Sequence, residues 1–394
     1  MENQTLNQTT KQIKYGILGY SRRAKMLKKI IDTYSHVHLI CAFDDNLEYS
    51  KTIQQSEPHI PIVLNEEEFW KNGPYEFVLI ASSNHLHAKH VLRAMKENVH
   101  IFCEKPIITK ITDYQKIMVA KEEYEFKKQF ATGFVLRHSP IFKKLKEVVG
   151  KIGSVGVVSA TDVIKHTHGA HFYNNWRKSL EISGGYCVEK ICHSLDILNW
   201  CIGSYPVEVF AFGGQKFWTP ENKWIEESFL KKDTKFYENY QDYLDFKENN
   251  PFTCEKSICD NITATFHYKN GTNLNLMITN YAPNARRTMM FYGVEGSVEF
   301  IWEMNCATIK FIPSIGGIGT KGAKHLPCEI KTYQFGHLGM HGGGDKEIIR
   351  SWLESVEKDK PMIPDILEAF YSNNACIAVT HSLKSGRKEE VELL

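Results

Sequence analysis

The chain has 394 residues, of which 42% are hydrophobic and 24% are charged, and its formal net charge is +2. This length exceeds one ordinary core, so two domains are expected. The near-neutral charge excludes a global basic field for nucleic acid or an acidic membrane surface, and no apolar run reaches the roughly 18 residues of a membrane span. The first residues lack the apolar core of a secretory signal, which predicts a cytoplasmic protein with a short flexible leader at 1–13.

The ten cysteines are expected to be free thiols in a chain without an export signal. Two pairs, Cys187 with Cys192 and Cys254 with Cys259, are each separated by four residues. That spacing is wider than the one typical of structural zinc sites. No metal site is therefore predicted.

The first predicted element is a short strand at 15–18, which ends at Gly19 and precedes a helix with one apolar face. A second strand, Val37–Phe43, ends at Asp44. This order of strand, turn, helix, strand and acid is typical of a dinucleotide-binding βαβ unit. Asp44 lies 25 residues after Gly19, close to the roughly 20 expected of a carboxylate that binds ribose hydroxyls. The alternative for Asp44 is a plain turn residue beside Asp45.

The glycine turn departs from the Gly-x-Gly-x-x-Gly pattern, because it reads Gly-Tyr-Ser-Arg-Arg-Ala from Gly19 onwards. Ser21 carries a Cβ where the backbone must approach a pyrophosphate. Arg22 and Arg23 fall at the start of the helix, where the macrodipole disfavours positive charge. One of them is expected to contact a cofactor phosphate, and the alternative is a solvated basic face shared with nearby lysines.

Two later strands end in polar segments. One strand leads into the loop 82–87, and an apolar run at 100–103 leads into Glu104, Lys105 and Pro106. Ligands of open α/β sheets bind at the carboxyl ends of the strands, where both segments are expected. Lys105 is therefore the leading candidate for the residue that meets substrate and cofactor together.

Alternating strands and helices predict a doubly wound parallel sheet of the Rossmann type over 14–135. Within it, a capping box that begins at Thr112 predicts the start of a helix. Over 136–394, strand-like segments, a hairpin across the turn at 269–271 and two carboxyl-terminal helices predict a second α/β domain. The charged segment 219–250 is expected to be an insertion on the surface or over the site.

Three polar residues of the second half have helical spacing. Glu189, His193 and Asp196 are separated by four and three residues, which places them on one face of a helix. A carboxylate one turn from an imidazole can fix its tautomer and tune its acidity. His193 is thus a candidate general base, and the alternative for a lone histidine is a satisfied core or surface residue.

A polar and aromatic cluster precedes this helix. Aromatic faces stack on sugar rings, while arginine and histidine donate hydrogen bonds to hydroxyls or acids, so the cluster is either a substrate wall or ordinary surface. A glycine-rich loop at 337–345 has the freedom to line the same cleft. The cluster comprises His166, His168, Tyr173, Trp176 and Arg177.

Together these motifs resemble the glucose–fructose oxidoreductase and inositol dehydrogenase family (Gfo/Idh/MocA), over nearly the whole chain. The loop 81–87 is similar to that family's Ala-Thr-Pro-Asn-His-Leu-His with two substitutions, and the Glu-Lys-Pro at 104–106 matches it outright. The segment 183–196 resembles its Gly-Gly and Asp-x-x-x-His-x-x-Asp helix, with Glu189 in place of the first aspartate.

The resemblance implies a Rossmann domain followed by an α/β domain with an open, mostly antiparallel sheet, through which a homodimer or homotetramer commonly forms. It implies NAD or NADP, and a sugar, sugar derivative or cyclic polyol as the small-molecule substrate. Asp44 favours NAD because a carboxylate there repels a 2′-phosphate, while Arg22 and Arg23 leave NADP open. The predicted cofactor-binding residues are Gly19, Tyr20, Ser21, Arg22, Arg23, Asp44, Ser82, Asn84, His87, Glu104 and Lys105.

The leading functional prediction is an NAD(P)-dependent oxidoreductase that transfers hydride between nicotinamide and a secondary alcohol. His193 would be the general base, oriented by Glu189, and Lys105 would donate to the same oxygen. The alternatives are a glycoside hydrolase that uses transient oxidation without net redox change, and a non-catalytic cofactor- or sugar-binding protein. The predicted substrate-binding residues are Lys105, His168, Tyr173, Arg177, Lys190 and His193.

Overall fold

A computed structural model of the chain describes residues 11–173, 175–225, 250–303, 306–313 and 330–393. The described residues form two compact units. The first contains those up to Glu104, Gln115–Gly133 and Ile348–Asp365, and the second contains Lys105–Tyr114, Phe134–Glu347 and those from Ile366 onwards. The predicted boundary divides the chain at a single point. Each compact unit instead includes a short segment that this division assigns to the other domain. The predicted division into a Rossmann domain at 14–135 and a second domain at 136–394 therefore stays a prediction.

Two of the predicted segments fall largely outside the described residues. The leader at 1–13 is described only from Lys11, and the first strand begins at Ile13. Of the predicted insertion at 219–250, residues 226–249 lie outside the described part of the chain. Both predictions stay predictions.

The first unit is built on a parallel sheet. Its described strands have the order β3-β2-β1-β4-β5-β6, and every neighbouring pair is parallel. This confirms the predicted doubly wound sheet, whose strand order reverses between β1 and β4. The strands are β1 (Ile13–Leu18), β2 (Val37–Phe43), β3 (Ile62–Val63), β4 (Phe77–Ile80), β5 (His100–Cys103) and β6 (Phe130–Thr132). The helices are α1 (Arg22–Ile31), α2 (Leu47–Ser56), α3 (Glu66–Lys71), α4 (Asn84–Lys96) and α5 (Ile111–Glu123), which enters this unit at Gln115.

The core of the first unit is aromatic and draws on a distant part of the sequence. Tyr15 of β1 stacks on Phe77 of β4, with 4.9 Å between the ring centroids. Trp352, from the segment Ile348–Asp365, packs edge-on against Phe77 at 5.6 Å and Phe102 at 5.8 Å. Full burial of one such side chain contributes about 1.5–3 kcal/mol, which explains why this late segment belongs to the first unit.

The predicted capping box of α5 is wrong. The helix already begins at Ile111, so Thr112 is a residue of its first turn rather than the residue before it. A capping box needs the hydroxyl outside the helix, where it can accept from a free backbone N–H. Helix starts are among the least certain features of a sequence pattern, because neighbouring turns satisfy the same donors.

The second unit is built on a mixed sheet. Its described strands have the order β14-β13-β12-β11-β7-β10-β9-β8-β15, and all neighbours are antiparallel except β7 and β10. The strands are β7 (Val155–Lys165), β8 (Pro206–Gly214), β9 (Asn261–Tyr268), β10 (Asn273–Ala282), β11 (Arg286–Gly293), β12 (Gly296–Glu303), β13 (Cys306–Pro313), β14 (Lys331–Phe335) and β15 (Glu389–Glu390). The helices are α6 (Pro140–Val149), α7 (His166–Gly169), α8 (Leu180–Ser183), α9 (Cys192–Ile202), α10 (Gly344–Lys358), which continues into the first unit, and α11 (Ile366–Ser385).

This sheet confirms the predicted open, mostly antiparallel architecture, including the hairpin of β9 and β10 across the turn at 269–271. Residues of both strands alternate between buried and exposed, as expected of a sheet with one covered face. The helix α11 packs on the covered face, where Ser382 Oγ accepts from the Ala211 N–H at 3.0 Å. On the open face Val157, Met277 and Tyr292 are each about half exposed, and the homo-oligomer stays a prediction. No helix among the described residues is long and apolar enough to cross a membrane.

Candidate functional site

The turns that follow β1 and β4 meet at the carboxyl edge of the parallel sheet. Gly19 has a φ of +86°, and a Cβ placed on it would lie 2.3 Å from the Ser82 Cα. Only glycine combines that backbone conformation with such a close approach. The two turns therefore lie side by side where the strand order reverses, which is where dinucleotides bind in sheets of this kind.

Asp44 ends β2 and points back to the glycine turn. Its Oδ2 accepts from the Tyr20 N–H at 3.0 Å, and its Oδ1 accepts from the Asn46 N–H at 3.1 Å. Burial raises the pKa of Asp44, while these two hydrogen bonds oppose the shift. The carboxylate thus lies beside the glycine turn, and its predicted contact with ribose hydroxyls stays a prediction. Tyr20 contributes its backbone here, since its side chain is buried and its hydroxyl donates to Glu57 Oε2 at 3.1 Å.

The three residues that follow Tyr20 differ in their contacts. Ser21 caps α1, because its Oγ accepts from the Ala24 N–H at 3.3 Å. Arg23 Nε donates to Glu104 Oε1 at 2.7 Å, so this cation at the helix start is compensated within the unit. Arg22 is exposed and stays the candidate for a cofactor phosphate.

Glu104 is held in a narrow space at the end of β5. It is 5% exposed, and a Cβ on Gly133 would lie 2.5 Å from its Oε2. A residue larger than glycine at 133 would displace the carboxylate from Arg23. Glu104 therefore acts as the partner of Arg23, and its predicted contact with the cofactor stays a prediction.

Two histidines hold the predicted loop 82–87 in place. His87 Nε2 lies 2.9 Å from the Ser82 carbonyl oxygen, and Ser82 Oγ lies 3.0 Å from His90 Nδ1. Burial lowers the pKa of His90 to about 4, so its ring is neutral. Asn84, at the start of α4, is 5% exposed. The sequence analysis missed His90, although its spacing of three residues from His87 on one helix was a usable signal.

In the second unit, Lys105 contacts the segment that carries the second predicted motif. Its Nζ donates to the Glu189 carbonyl oxygen at 2.6 Å and lies 3.7 Å from Glu189 Oε1. Arg177 Nε donates to the same Oε1 at 3.0 Å. Glu189 is 6% exposed. The structure thus brings together three of the predicted residues, Lys105, Arg177 and Glu189.

His193 lies in the first turn of α9 and is 6% exposed. Its ring centroid is 5.9 Å from those of Phe134 and His341, and its Nδ1 has no hydrogen-bond partner among the described residues. Burial lowers the pKa of His193 well below its usual value, and the charge of Lys105 adds to the shift. The imidazole is therefore neutral at pH 7 and has a nitrogen that can accept a proton.

Glu189 does not orient His193 as predicted, because its carboxylate contacts Arg177 and Lys105 instead. The physical reason is local. Residues Cys187–Ile191 form a π-helical turn, which holds more residues per turn than an α-helix, so a four-residue spacing across it differs from that of a regular α-helix.

Asp196 belongs to a different cluster from the predicted one. It is fully buried, and its Oδ2 and Oδ1 accept from Arg137 Nε at 2.9 Å and Nη2 at 2.8 Å. Arg137 Nη1 also donates to Glu368 Oε2 at 3.0 Å. Burial raises the pKa of Asp196 to about 6, and Arg137 opposes the rise. The expectation that Asp196 joins Glu189 and His193 is therefore wrong.

The predicted substrate wall is only partly supported. Tyr173 is fully buried, with its hydroxyl donating to the Cys259 carbonyl oxygen at 3.2 Å and accepting from Asn280 Nδ2 at 2.9 Å. It is a core residue, so its predicted place in the wall is wrong. His168 is exposed and stacks on Phe172, and the Arg177 guanidinium lies 4.4 Å from the centre of the Trp176 ring.

The glycine-rich loop before α10 is more tightly held than its composition indicates. The Gly342 carbonyl oxygen accepts from Ser139 Oγ at 2.8 Å. His341 adopts a φ of +49° and its Nδ1 lies 2.8 Å from Asp345 Oδ2. The loop thus places a second histidine ring beside His193.

Asp162 and Arg287 were missed by the sequence analysis. Arg287 Nη2 donates to Asp162 Oδ2 at 2.7 Å, and both side chains act electrostatically on Lys190. They lie on neighbouring strands, β7 and β11, and no motif links them. Among the described residues, no group of three or more histidine, cysteine or acidic side chains could hold a metal. The nine described cysteines are free, Cys328 lies outside the described residues, and the absence of a metal stays a prediction.

A Rossmann sheet with this acid at β2, followed by a unit with a mixed sheet, defines the class of two-domain nicotinamide oxidoreductases. Residues 13–133 match the family model described as the oxidoreductase family's NAD-binding Rossmann fold, and residues 146–393 match its C-terminal alpha/beta domain. The chain belongs to the Gfo/Idh/MocA oxidoreductase family, as its motifs predict. The predicted nicotinamide cofactor is confirmed at the level of this NAD-binding domain.

Individual relatives are more distant. The chain is similar to YteT of Bacillus subtilis, with 29% identity over 216 residues, 52% of this chain and 50% of that protein. It is 25% identical to the 2,7-anhydro-N-acetylneuraminate hydratase of Escherichia coli over 207 residues, 51% of this chain and 53% of that protein. The chain thus spans about half the length of these curated relatives. Levoglucosan dehydrogenase, solved with NADH and levoglucosan, has the same fold, with a TM-score of 0.73, 14% identity and coverage of 97% and 100%.

Proposed function

We propose that this protein is an NAD-dependent oxidoreductase that oxidises a secondary alcohol of a sugar or a polyol. The observation that carries the proposal is the pairing of a cation and a neutral base in one cluster of the second unit. Lys105 reaches Glu189 through its Nζ, and its charge lowers the pKa of the buried His193. An ammonium and a neutral imidazole are the two groups that alcohol oxidation needs from a protein.

The chemistry assigns one task to each side chain. His193 accepts the proton of the substrate hydroxyl, because it is neutral at pH 7 and its Nδ1 has no partner among the described residues. Lys105 stabilises the negative charge that develops on the substrate oxygen, and its hydrogen bond to the Glu189 carbonyl oxygen fixes the direction of its Nζ. A bound nicotinamide supplies the hydride acceptor, so the alcohol loses one proton and one hydride and becomes a carbonyl.

The first unit offers the groups that such a cofactor needs. The close contact of Gly19 with Ser82 leaves a turn without a side chain where a pyrophosphate would approach. Asp44 would accept from the ribose hydroxyls, and its charge would repel the 2′-phosphate of NADP. Arg22, at the exposed start of α1, would contact a phosphate.

A second candidate is a reaction in which the cofactor is reduced and reoxidised within one turnover, as in redox-assisted cleavage of a glycoside. The relative named 2,7-anhydro-N-acetylneuraminate hydratase favours keeping it, because its name describes a reaction without net redox change. The same proton acceptor and the same ammonium group would serve either reaction. The two candidates differ only in whether NADH accumulates.

The test is to supply the purified protein with NAD⁺ or NADP⁺ and a panel of sugars, glycosides and polyols. We expect NADH to accumulate with at least one of them, and Lys105→Met to reduce kcat about 10²–10³-fold. Lys110→Met, an exposed lysine five residues further on, is the matched control and should keep its rate. Product formation without NADH would support the second candidate. A folded protein that binds no nicotinamide nucleotide would refute both.

A further inference from the structure

The catalytic cluster of the second unit holds more positive than negative charge. Its four cations are Lys105, Arg177, Lys190 and Arg287, and its two carboxylates are Asp162 and Glu189. We call these six residues the cationic cluster. Two other acidic side chains of the second unit, Asp345 and Asp196, contact His341 and Arg137 respectively. Among the described residues of this cluster, the cations therefore outnumber the carboxylates by two.

The contacts show where the excess lies. Asp162 is occupied by Arg287, at 2.7 Å, and also accepts from the Ser194 hydroxyl. Glu189 is shared between Arg177, at 3.0 Å, and Lys105, at 3.7 Å. Lys190 has no hydrogen-bond or ion-pair partner among the described residues, although it is adjacent to Glu189 and mostly buried.

An excess of buried cations lowers the stability of the folded protein by itself. Burial lowers the pKa of Lys190 to about 8, Lys105 and Arg287 add to the shift, and Asp162 and Glu189 oppose it. The same cations contribute to the low pKa of His193. A buried cation that lacks a partner destabilises a fold unless a ligand supplies the opposite charge. The cluster is thus built to be completed by an anion.

We propose that the substrate of this site is an anionic sugar, and that Lys190 binds its carboxylate or phosphate group. The inference rests on the proposed function, since it names the substrate class of the same site. A neutral sugar or polyol would leave Lys190 uncompensated, whereas one oxyanion would neutralise half of the excess. Lys190 follows Glu189 directly, so the anionic group would bind within one residue of the contact that fixes Lys105.

The experiment compares matched ligands by calorimetric binding to the full-length protein saturated with NADH, which requires no turnover. The pairs are D-glucuronate with D-glucose and D-galacturonate with D-galactose, and glucose 6-phosphate distinguishes phosphate from carboxylate. We expect at least one anionic ligand to bind about tenfold or more tightly than its neutral counterpart, as a charged hydrogen bond in a buried site does. Its affinity should also fall as salt is added.

Two variants test the role of Lys190. Lys190→Met should abolish the preference for the anionic member of a pair, and Lys190→Arg should retain it. NADH affinity and the circular dichroism spectrum establish that each variant is folded. Equal affinity within every pair, no binding of any anionic ligand at millimolar concentration, or an unchanged preference in folded Lys190→Met would overturn the inference. Anion-selective binding without any reduction of NAD⁺ would retain it and refute the dehydrogenase proposal instead.

Discussion

Two buried charge clusters of the second unit differ in their ratio of cations to carboxylates. Around Arg137, one guanidinium meets two carboxylates, with both Asp196 oxygens and one Glu368 oxygen within 3.0 Å of its nitrogens. In the cationic cluster, four cations share two carboxylates and Lys190 has no close partner among the described residues. In the first cluster the cation faces carboxylates on both sides, whereas in the second the cations outnumber the carboxylates among the described residues.

The helix α9 carries one residue of the Arg137 cluster and the histidine on which three cations of the cationic cluster act. His193 and Asp196 lie within one turn of α9 and both are buried. Asp196 pairs with Arg137, whereas burial lowers the pKa of His193 and the charges of Lys105, Lys190 and Arg287 add to that shift. We therefore infer that Arg137 and Asp196 serve stability, and we propose that the residues around His193 serve binding and catalysis instead.

The largest expected effect is on stability. Arg137→Met leaves Asp196 fully buried without its partner, so we expect the free energy of unfolding to fall by about 3–5 kcal/mol. Urea denaturation measures it. The double variant Arg137→Met with Asp196→Leu should recover most of the loss, because it removes both charges. A loss below about 1 kcal/mol for the single variant would show that the Arg137–Asp196 pair does not stabilise the fold.

The next effect is on catalysis. His193→Gln removes the proposed base, so kcat should fall about 10²–10⁴-fold with little change in the free energy of unfolding. The base must be neutral to act, and the pKa of His193 lies below its usual value. Wild-type activity should therefore persist as the pH falls through the range where an ordinary histidine becomes protonated.

The control for this prediction is His381→Gln, at an exposed position of α11. It should leave both the rate and the pH profile unchanged. An acid limb at the usual histidine pKa in the wild-type protein would contradict the neutral, buried state of His193. A rate loss that tracks unfolding would assign His193 to the core instead.

The sequence predicted those parts of the fold whose signals are local. The strands Phe77–Ile80 and His100–Cys103 read as short apolar runs because both faces of a parallel sheet are buried. The hairpin at 269–271 was readable from its turn residues. The candidate site residues Asp44 and Lys105 were predicted because Asp44 directly follows one strand of the parallel sheet and Lys105 comes two residues after another.

The remaining features depend on partners that are far apart in the chain. Arg137 and Asp196 are 59 residues apart, and no local pattern joins them. Tyr173 looked like a binding residue because its core partner, Asn280, lies on a distant strand. The π-helical turn Cys187–Ile191 changes a spacing that a regular helix would have kept. Tertiary contacts decided each case, and a single sequence does not contain them.

A third prediction extends the comparison to the first unit, where two backbone N–H groups hold Asp44 and none of the cations that the structure describes forms an ion pair with it. Asp44→Asn keeps an acceptor for the ribose but removes the charge, so the ratio of NADP to NAD affinity should rise about tenfold. The exposed neighbour Asp45 provides the control, and Asp45→Asn should leave the ratio unchanged. Fluorescence titration with both reduced cofactors measures it. An unchanged ratio in Asp44→Asn would remove the charge argument for NAD.

The smallest effect is also the sharpest test of the excess charge. Lys190 attracts an anion only when protonated, and its pKa of about 8 is set by burial, with Lys105 and Arg287 opposed by Asp162 and Glu189. Affinity for an anionic sugar should therefore be constant below pH 8 and fall by up to about tenfold per pH unit above it. Because a guanidinium stays charged, Lys190→Arg should keep its affinity across this range. If both proteins lost affinity together, the titrating group would be another residue of the cationic cluster. Lys190 would then not be the residue that makes this cluster different from the Arg137–Asp196 pair.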